Sequence, residues 1–298
     1  MKILHIVPGT NDIANGMLVV AKLLAQEQGD AEVVDLNDEI HESGVEEVWV
    51  HGMWLPREWQ VCWRALRAGK RLVRMTHGSL SPIYLKYQSP FKKWLVGPIE
   101  RFLLRRSAKI VATCAAEKEW IEAYLGKKCP VVEVTDIKRF FKLERDFGRD
   151  GKTDASPKGW DSLHILYLGR RHPLKGVAYL EEAVKGIEGC ELRVVCNAFG
   201  AEKERVWDWC DVLVLPSLSE NFGLVVAEAL ERGKRVITTD GAPAWGDGND
   251  YGGRLIYLKG YRDGSGEERV RLLKVAIESE CCTVRGNKGS DRNYEQFW

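Results

Sequence analysis

Short apolar runs, each four to six residues long and rich in Val and Ile, recur along this chain with helix-like stretches between most of them. The first-half runs are Ile3 to Val7, Ala31 to Leu36, Glu47 to His51, Arg71 to Thr76, Lys109 to Thr113 and Val131 to Val134. The second-half runs are Leu163 to Leu168, Glu191 to Cys196, Val212 to Leu215, Arg235 to Thr238 and Leu255 to Leu258. A continuous apolar strand is one buried on both faces, and strands that alternate with helices build a parallel sheet. From Asp136 to Asp161 the chain turns charged and turn-forming, without apolar period. The division is therefore a first domain over 1–140, a linker over 141–160 and a second domain over 161–298, whose final residues could return to the first.

Composition narrows the class. Lys and Arg total 44 against 43 Asp and Glu, a net charge of +1, so no global field draws the chain to nucleic acid. The eight cysteines show no Cys-x-x-Cys spacing and read as reduced core residues. With Met1 leading directly into a strand and no run long enough to span a bilayer, the expected location is the cytoplasm. No clustered His and Cys set suggests a metal site.

The stretch from Asp211 to Glu228 brings chemistry to the sheet. Val212 to Leu215 is a strand closed by Pro216, and Gly223 opens a helix that is apolar from Leu224 to Leu230 except for Glu228. Buried carboxylates call for partners, and Glu220 lies eight positions before Glu228, beyond the strand's carboxyl end. In an open α/β sheet that end is where ligands bind, and the helix start at Phe222 and Gly223 offers N–H groups to an anion. Gly169 to Gly176, Gly-Arg-Arg-His-Pro-Leu-Lys-Gly, places cations at another strand-to-helix turn. Guanidinium and ammonium groups there could hold a diphosphate and partner both glutamates; the alternative is a solvated surface turn. Neither Gly9 with Gly16 nor Gly169 with Gly176 supplies the dinucleotide-binding spacing.

These residues resemble the retaining glycosyltransferases of family 4, the "group 1" enzymes with a GT-B fold. Gly169, Arg170, Lys175 and Gly176 match the family's basic turn, and Glu220 and Glu228 its spaced glutamates; Pro216, Ser217, Phe222 and Gly223 match as well. The loops Val48 to Trp54 and Met75 to Pro82 are similar to strand-end loops of the first domain, and His77 matches the active-site histidine. The resemblance implies two Rossmann-like parallel-sheet domains facing across a cleft. It implies that Arg170 and Lys175 bind the donor diphosphate, that Glu220 with Asn221, Phe222, Gly223 and Leu224 holds the donor sugar, and that Glu228 meets the ribose. Gly16 stands in the first glycine loop, whose usual glycine pair is missing. His51 and Trp54 are acceptor-side candidates. Only about a dozen residues separate Asn197 from Asp211, so the second domain should lack one strand-helix unit. There is no Asp-x-Asp triplet, and no metal or other cofactor is expected.

The implied function is transfer of a sugar from a nucleotide-diphosphate donor, UDP rather than GDP, to a hydroxyl of a saccharide or lipid-linked acceptor, as in polysaccharide or lipopolysaccharide assembly. Two alternatives stand beside it: a non-catalytic sugar-nucleotide-binding or scaffolding protein, and a GT-B fold sugar-nucleotide epimerase. Residues 84–106 mix Lys and Arg with Tyr84, Phe91, Trp94, Leu95, Ile99 and Phe102. This is either a membrane-surface stretch or an ordinary domain helix with a basic outer face, interrupted at Pro90 and Gly97-Pro98.

Overall fold

The computed structural model describes residues 1–9, 15–40, 43–143, 162–196 and 198–284. Most of the expected linker, the loop 10–14, Asn197 and the residues after 284 lie outside them. The chain divides into two compact units, Met1–Phe140 and Phe141–Trp298.

The first unit runs β1 (Lys2–Val7), α1 (Gly16–Gln28), β2 (Ala31–Asp35), β3 (Val45–His51), α2 (Pro56–Arg67), β4 (Arg71–Met75), α3 (Pro82–Tyr87), α4 (Pro90–Arg106), β5 (Lys109–Ala112), α5 (Ala115–Leu125) and β6 (Val132–Val134). The strands form one parallel sheet in the order β2-β1-β3-β4-β5-β6. Helices cover both faces, which is why the central strands carry few polar residues. Leu4, Ile6, Val48, Val50 and Leu72 pack against Val61, Cys62 and Ala65 of α2 and Leu103 of α4, whereas Val7 packs against Leu18 and Ala21 of α1. The strand order reverses between β1 and β3, and a crevice forms beyond the carboxyl ends at such a point.

The second unit runs β7 (Leu163–Leu168), α6 (Val177–Ala183), β8 (Cys190–Val195), α7 (Gly200–Trp209), β9 (Val212–Leu215), α8 (Leu224–Glu231), β10 (Arg235–Thr239), β11 (Leu255–Leu258) and α9 (Gly266–Val284). Its parallel sheet has the order β11-β10-β9-β7-β8, with the reversal between β7 and β9. Among the described residues no strand lies outside β8, whose residues are partly or fully exposed, and α7 leads directly from it to β9. This is the shortened second domain expected from the sequence, in a GT-B fold.

One local expectation needs correction. α4 runs unbroken through Gly97 and Pro98. The proline withholds one ladder N–H, the partner of the Trp94 carbonyl four residues earlier, and the helix continues past it. After the basic turn α6 starts only at Val177, because Gly176 takes a left-handed conformation, φ 66°, before it.

Candidate active site

In the second unit the loops leaving β7 and β9 lie side by side at the strand-order reversal. The Leu174 carbonyl accepts from the Leu218 N–H at 2.8 Å, and the Glu220 N–H donates to the Gly241 carbonyl at 2.8 Å. Gly176 is required here twice over. Its φ is +66°, and a Cβ would stand 2.0 Å from the Pro216 carbonyl oxygen. This close approach brings the Lys175 ammonium to Glu220, Nζ to Oε2 at 2.6 Å, with both side chains about one-fifth exposed (20% and 17%). The Ser217 hydroxyl donates to the same oxygen at 3.3 Å. The Arg170 side chain is exposed, and its carbonyl accepts from the Tyr167 hydroxyl at 2.8 Å.

Beyond Glu220, Asn221 is partly exposed, and Phe222 is buried against Trp245, ring centres 5.2 Å apart. The Trp245 indole N–H donates to the Phe222 carbonyl at 2.5 Å. Trp245 is thus a buried brace of this loop. Gly223, φ 72°, precedes Leu224, the first residue of α8, and no residue of α8 is fully exposed. Glu228 does not pair with the basic turn. Its partner is Lys203 of α7, Nζ 2.7 Å from Oε2. Lys203 escaped the sequence reading because it sits in a charged surface helix, 25 residues before its partner.

In the first unit, Gly16 is the first residue of α1. Asn15 caps that helix by accepting from the Met17 N–H at 3.0 Å, and its amide donates to the Pro8 carbonyl at 2.6 Å. His51 ends β3, fully buried, with Nδ1 2.8 Å from His77 Nε2 and Nε2 2.9 Å from His5 Nδ1. His77 lies in the loop after β4 with φ 49°, an unusual conformation for a residue with a side chain. Glu117, at the start of α5 and fully buried, holds that loop. Its Oε1 accepts from the Thr76 hydroxyl at 2.7 Å and the Gly78 N–H at 2.6 Å, and its Oε2 from the Thr113 N–H and hydroxyl, each at 2.8 Å. Burial pushes His77 down to about 3 and His5 to about 4, and burial with nearby His77, His5 and Arg74 holds His51 well below the usual imidazole range. All three rings are therefore neutral near pH 7.

Trp54 stands differently from the acceptor-side placement. Its backbone is strained, φ 81°, but its indole is 5% exposed and packs with Leu80 and Leu104 in the core. The Trp54 backbone N–H donates to Glu100 Oε1 at 2.5 Å, and buried Arg74 binds the Gly52 carbonyl at 2.9 Å, fixing the loop behind His51. Among the described residues no group of three or more His, Cys, Asp or Glu is arranged to hold a metal ion, and no helix is long and apolar enough to cross a membrane.

Comparison with known proteins agrees with this architecture. Residues 31–135 match the glycosyl transferase 4-like domain, and residues 163–257 match the glycosyl transferases group 1. No curated protein matches the chain by sequence. Among solved structures, Anabaena HepE in complex with UDP-glucose aligns with a TM-score of 0.66 at 14% identity, over 94% of this chain and 91% of that one. Sucrose-phosphate synthase from Thermosynechococcus elongatus aligns with a TM-score of 0.64 at 15% identity, over 93% and 90%. The lipopolysaccharide outer core galactosyltransferase WaaB aligns at 0.57 and 14% identity, over 94% and 91%. With a glycosyl transferase 4-like domain in its first unit and a glycosyl transferases group 1 domain in its second, the chain belongs to the GT-B fold glycosyltransferases.

Proposed function

We propose that the chain is a retaining glycosyltransferase that takes a hexosyl or N-acetylhexosaminyl group from a UDP-sugar and transfers it to a hydroxyl of a saccharide or lipid-linked acceptor, as in cell-surface polysaccharide or lipopolysaccharide assembly. The observation that carries this reading is the Lys175–Glu220 pair at the strand-order reversal of the second unit. An ammonium has three N–H donors, so Lys175 can hold Glu220 and a phosphate oxygen together. Cleavage of the anomeric C–O bond leaves a diphosphate, whose developing charge Arg170, Lys175 and the N–H groups at the start of α8 would stabilise. Glu220 would accept from donor-sugar hydroxyls and thereby orient the ring, with the backbone of Asn221, Phe222, Gly223 and Leu224 beneath it.

Glu228, held by Lys203, would accept from the ribose hydroxyls. His77 would hydrogen-bond a sugar hydroxyl, with His51 behind it in the first unit. The chemistry draws on the protein's own cations. Retention would follow from attack on the face from which the diphosphate leaves, the leaving group taking the acceptor proton. The base preference is supported by the complexes of HepE, a structural neighbour, with UDP and UDP-glucose.

A thermal-shift panel of nucleoside diphosphates and their sugars tests the reading, since a ligand that binds only the folded chain raises its melting temperature. UDP-sugars should shift it and yield glycosylated product with an acceptor. No shift with any nucleotide would favour a scaffolding role, and product formed without an acceptor would favour an epimerase.

A second proposed reading concerns the membrane. Phe91, Trp94 and Leu95 on α4 are 68%, 74% and 52% exposed, and at helical spacing they share a face with Pro98 and the half-exposed Phe102. Trp63 of α2 stacks on Phe102, ring centres 5.4 Å apart, beside a groove of about 550 Å³. Exposed Arg101, Arg105 and Arg106 add positive charge. Large apolar side chains left in water beside arginines suit the surface of an anionic bilayer.

A further inference from the structure

Four side chains from α1, β1, β3 and the loop after β4 form one unbroken line of hydrogen bonds in the first unit. His77 Nε2 is 2.8 Å from His51 Nδ1, His51 Nε2 is 2.9 Å from His5 Nδ1, and His5 Nε2 is 2.7 Å from the Gln28 side-chain oxygen. His5 is fully buried and stacks on Trp49 at 4.9 Å. Neither it nor Gln28 belongs to the donor-binding loops, and the transfer chemistry described above uses neither.

The line has a polarity. Each neutral imidazole has one N–H and one lone pair, so three rings bring three N–H groups to three hydrogen bonds. The inner end is a carbonyl oxygen, which only accepts. His5 must therefore donate from Nε2, which makes its Nδ1 an acceptor. His51 must then donate from Nε2, and His77 from Nε2 in turn. The outcome is a His77 ring with its proton on Nε2 and its lone pair on Nδ1.

We infer that Gln28 and His5 are positioning residues that set, through His51, the tautomer of His77, so that His77 meets a sugar hydroxyl as an acceptor at Nδ1. The inference rests on the reading of His77 as a sugar-facing residue. It makes the hydrogen-bonding preference of that residue a property of a helix end two rings away. A cluster that only satisfied its own buried polar atoms would leave turnover indifferent to Gln28.

The test is imidazole nitrogen NMR of the full chain at neutral pH, on wild type, Gln28→Glu, Gln28→Met and His5→Phe, with UDP-glucose turnover measured beside it. Gln28→Glu keeps an acceptor at the same reach, whereas Gln28→Met keeps the length and removes it. Wild type and Gln28→Glu should show all three rings protonated at Nε2. Gln28→Met and His5→Phe should populate both tautomers at His77, and kcat for UDP-glucose should fall about tenfold, the low end of the scale seen when outer hydrogen-bond partners of metal-ligating histidines are removed. A proton on Nδ1 of His77 in the wild type, or a His77 tautomer unmoved in Gln28→Met and His5→Phe, would overturn the inference. If the tautomers shift as expected while His77→Ala turns over UDP-glucose at the wild-type rate, the relay stands and the assignment of His77 falls.

Discussion

The Lys175 ammonium and the Glu220 carboxylate meet at 2.6 Å across the point where the second sheet reverses its strand order, each on the loop that leaves a central strand. The pair is partly shielded from water, so its members depend on each other for place as well as charge. Lys175→Ala should lower turnover about 100-fold or more, the scale of one lost group that stabilises transition-state charge, and far-ultraviolet circular dichroism should remain native. Glu220→Ala should likewise abolish transfer. Steady-state rates in the two variants near wild type would remove both from the site.

Gly176 should tolerate no side chain. With φ +66° and the Pro216 oxygen 2.0 Å from where a Cβ would stand, Gly176→Ala must push the two loops apart. Urea denaturation should show a loss of about 2 kcal/mol or more, the combined scale of backbone strain and overpacking, together with weaker nucleotide binding. Gly248, also at positive φ (+84°) but with nothing within 4 Å, provides the control, and Gly248→Ala should cost less.

Glu117 should govern the loop that carries His77. It accepts four hydrogen bonds from Thr76, Gly78 and Thr113 while fully buried. Glu117→Gln replaces one accepting oxygen by an NH2 group facing a donor, so a destabilisation of about 1–3 kcal/mol is expected. Crystallography or NMR of the variant should show the His77 loop displaced. An unshifted loop with unchanged stability would deny Glu117 that role.

Stability should fall in acid partly through the histidines. The folded values, about 4 for His5 and about 3 for His77, lie below the ordinary 6.5, so the unfolded chain takes up these protons first. The contribution is complete above about pH 6.5 and is lost as pH falls towards 4 and then 3, at up to about 1.4 kcal/mol per pH unit for each ring. Urea midpoints measured from pH 8 to 4.5 should decline more steeply in wild type than in His5→Phe. Parallel lines would place the pH dependence elsewhere.

Most of this architecture was legible because it rests on local pattern. A strand buried on both faces must be continuously apolar, so Val212 to Leu215 and Leu163 to Leu168 announce themselves, and the short span from Asn197 to Asp211 leaves no room for another strand. Partners distant in sequence were not legible. Lys203 reads as one charge among several on α7, and His5 and Gln28 as a strand residue and a helix end, until the fold brings them together. Glu117 left a faint signal, standing four residues after Thr113 where a helix begins beyond a strand. Trp54, an acceptor-side candidate from its place beside a strand-end loop, has a positive φ and lies buried in the core.

The α4 surface should respond to lipid. Flotation with vesicles containing phosphatidylserine should recover the wild-type chain with lipid. A Phe91→Ser, Trp94→Ser, Leu95→Ser triple variant should stay behind, since these side chains are already exposed and their loss leaves the core intact. Equal recovery of both proteins, or of wild type with neutral and anionic vesicles alike, would count against docking.

Calorimetric titration of the full chain with UDP and UDP-glucose, and with GDP and GDP-mannose for comparison, tests the donor site most directly. Wild type should bind a uridine ligand saturably at one site. Lys175→Ala should weaken UDP and UDP-glucose together, because the diphosphate is common to both, whereas Glu220→Gln should weaken UDP-glucose more than UDP, because only the sugar is lost. Nucleotide affinity unchanged in Lys175→Ala, or no binding of any of the four ligands by the wild type, would contradict the assignment of Lys175 and Glu220 to the donor.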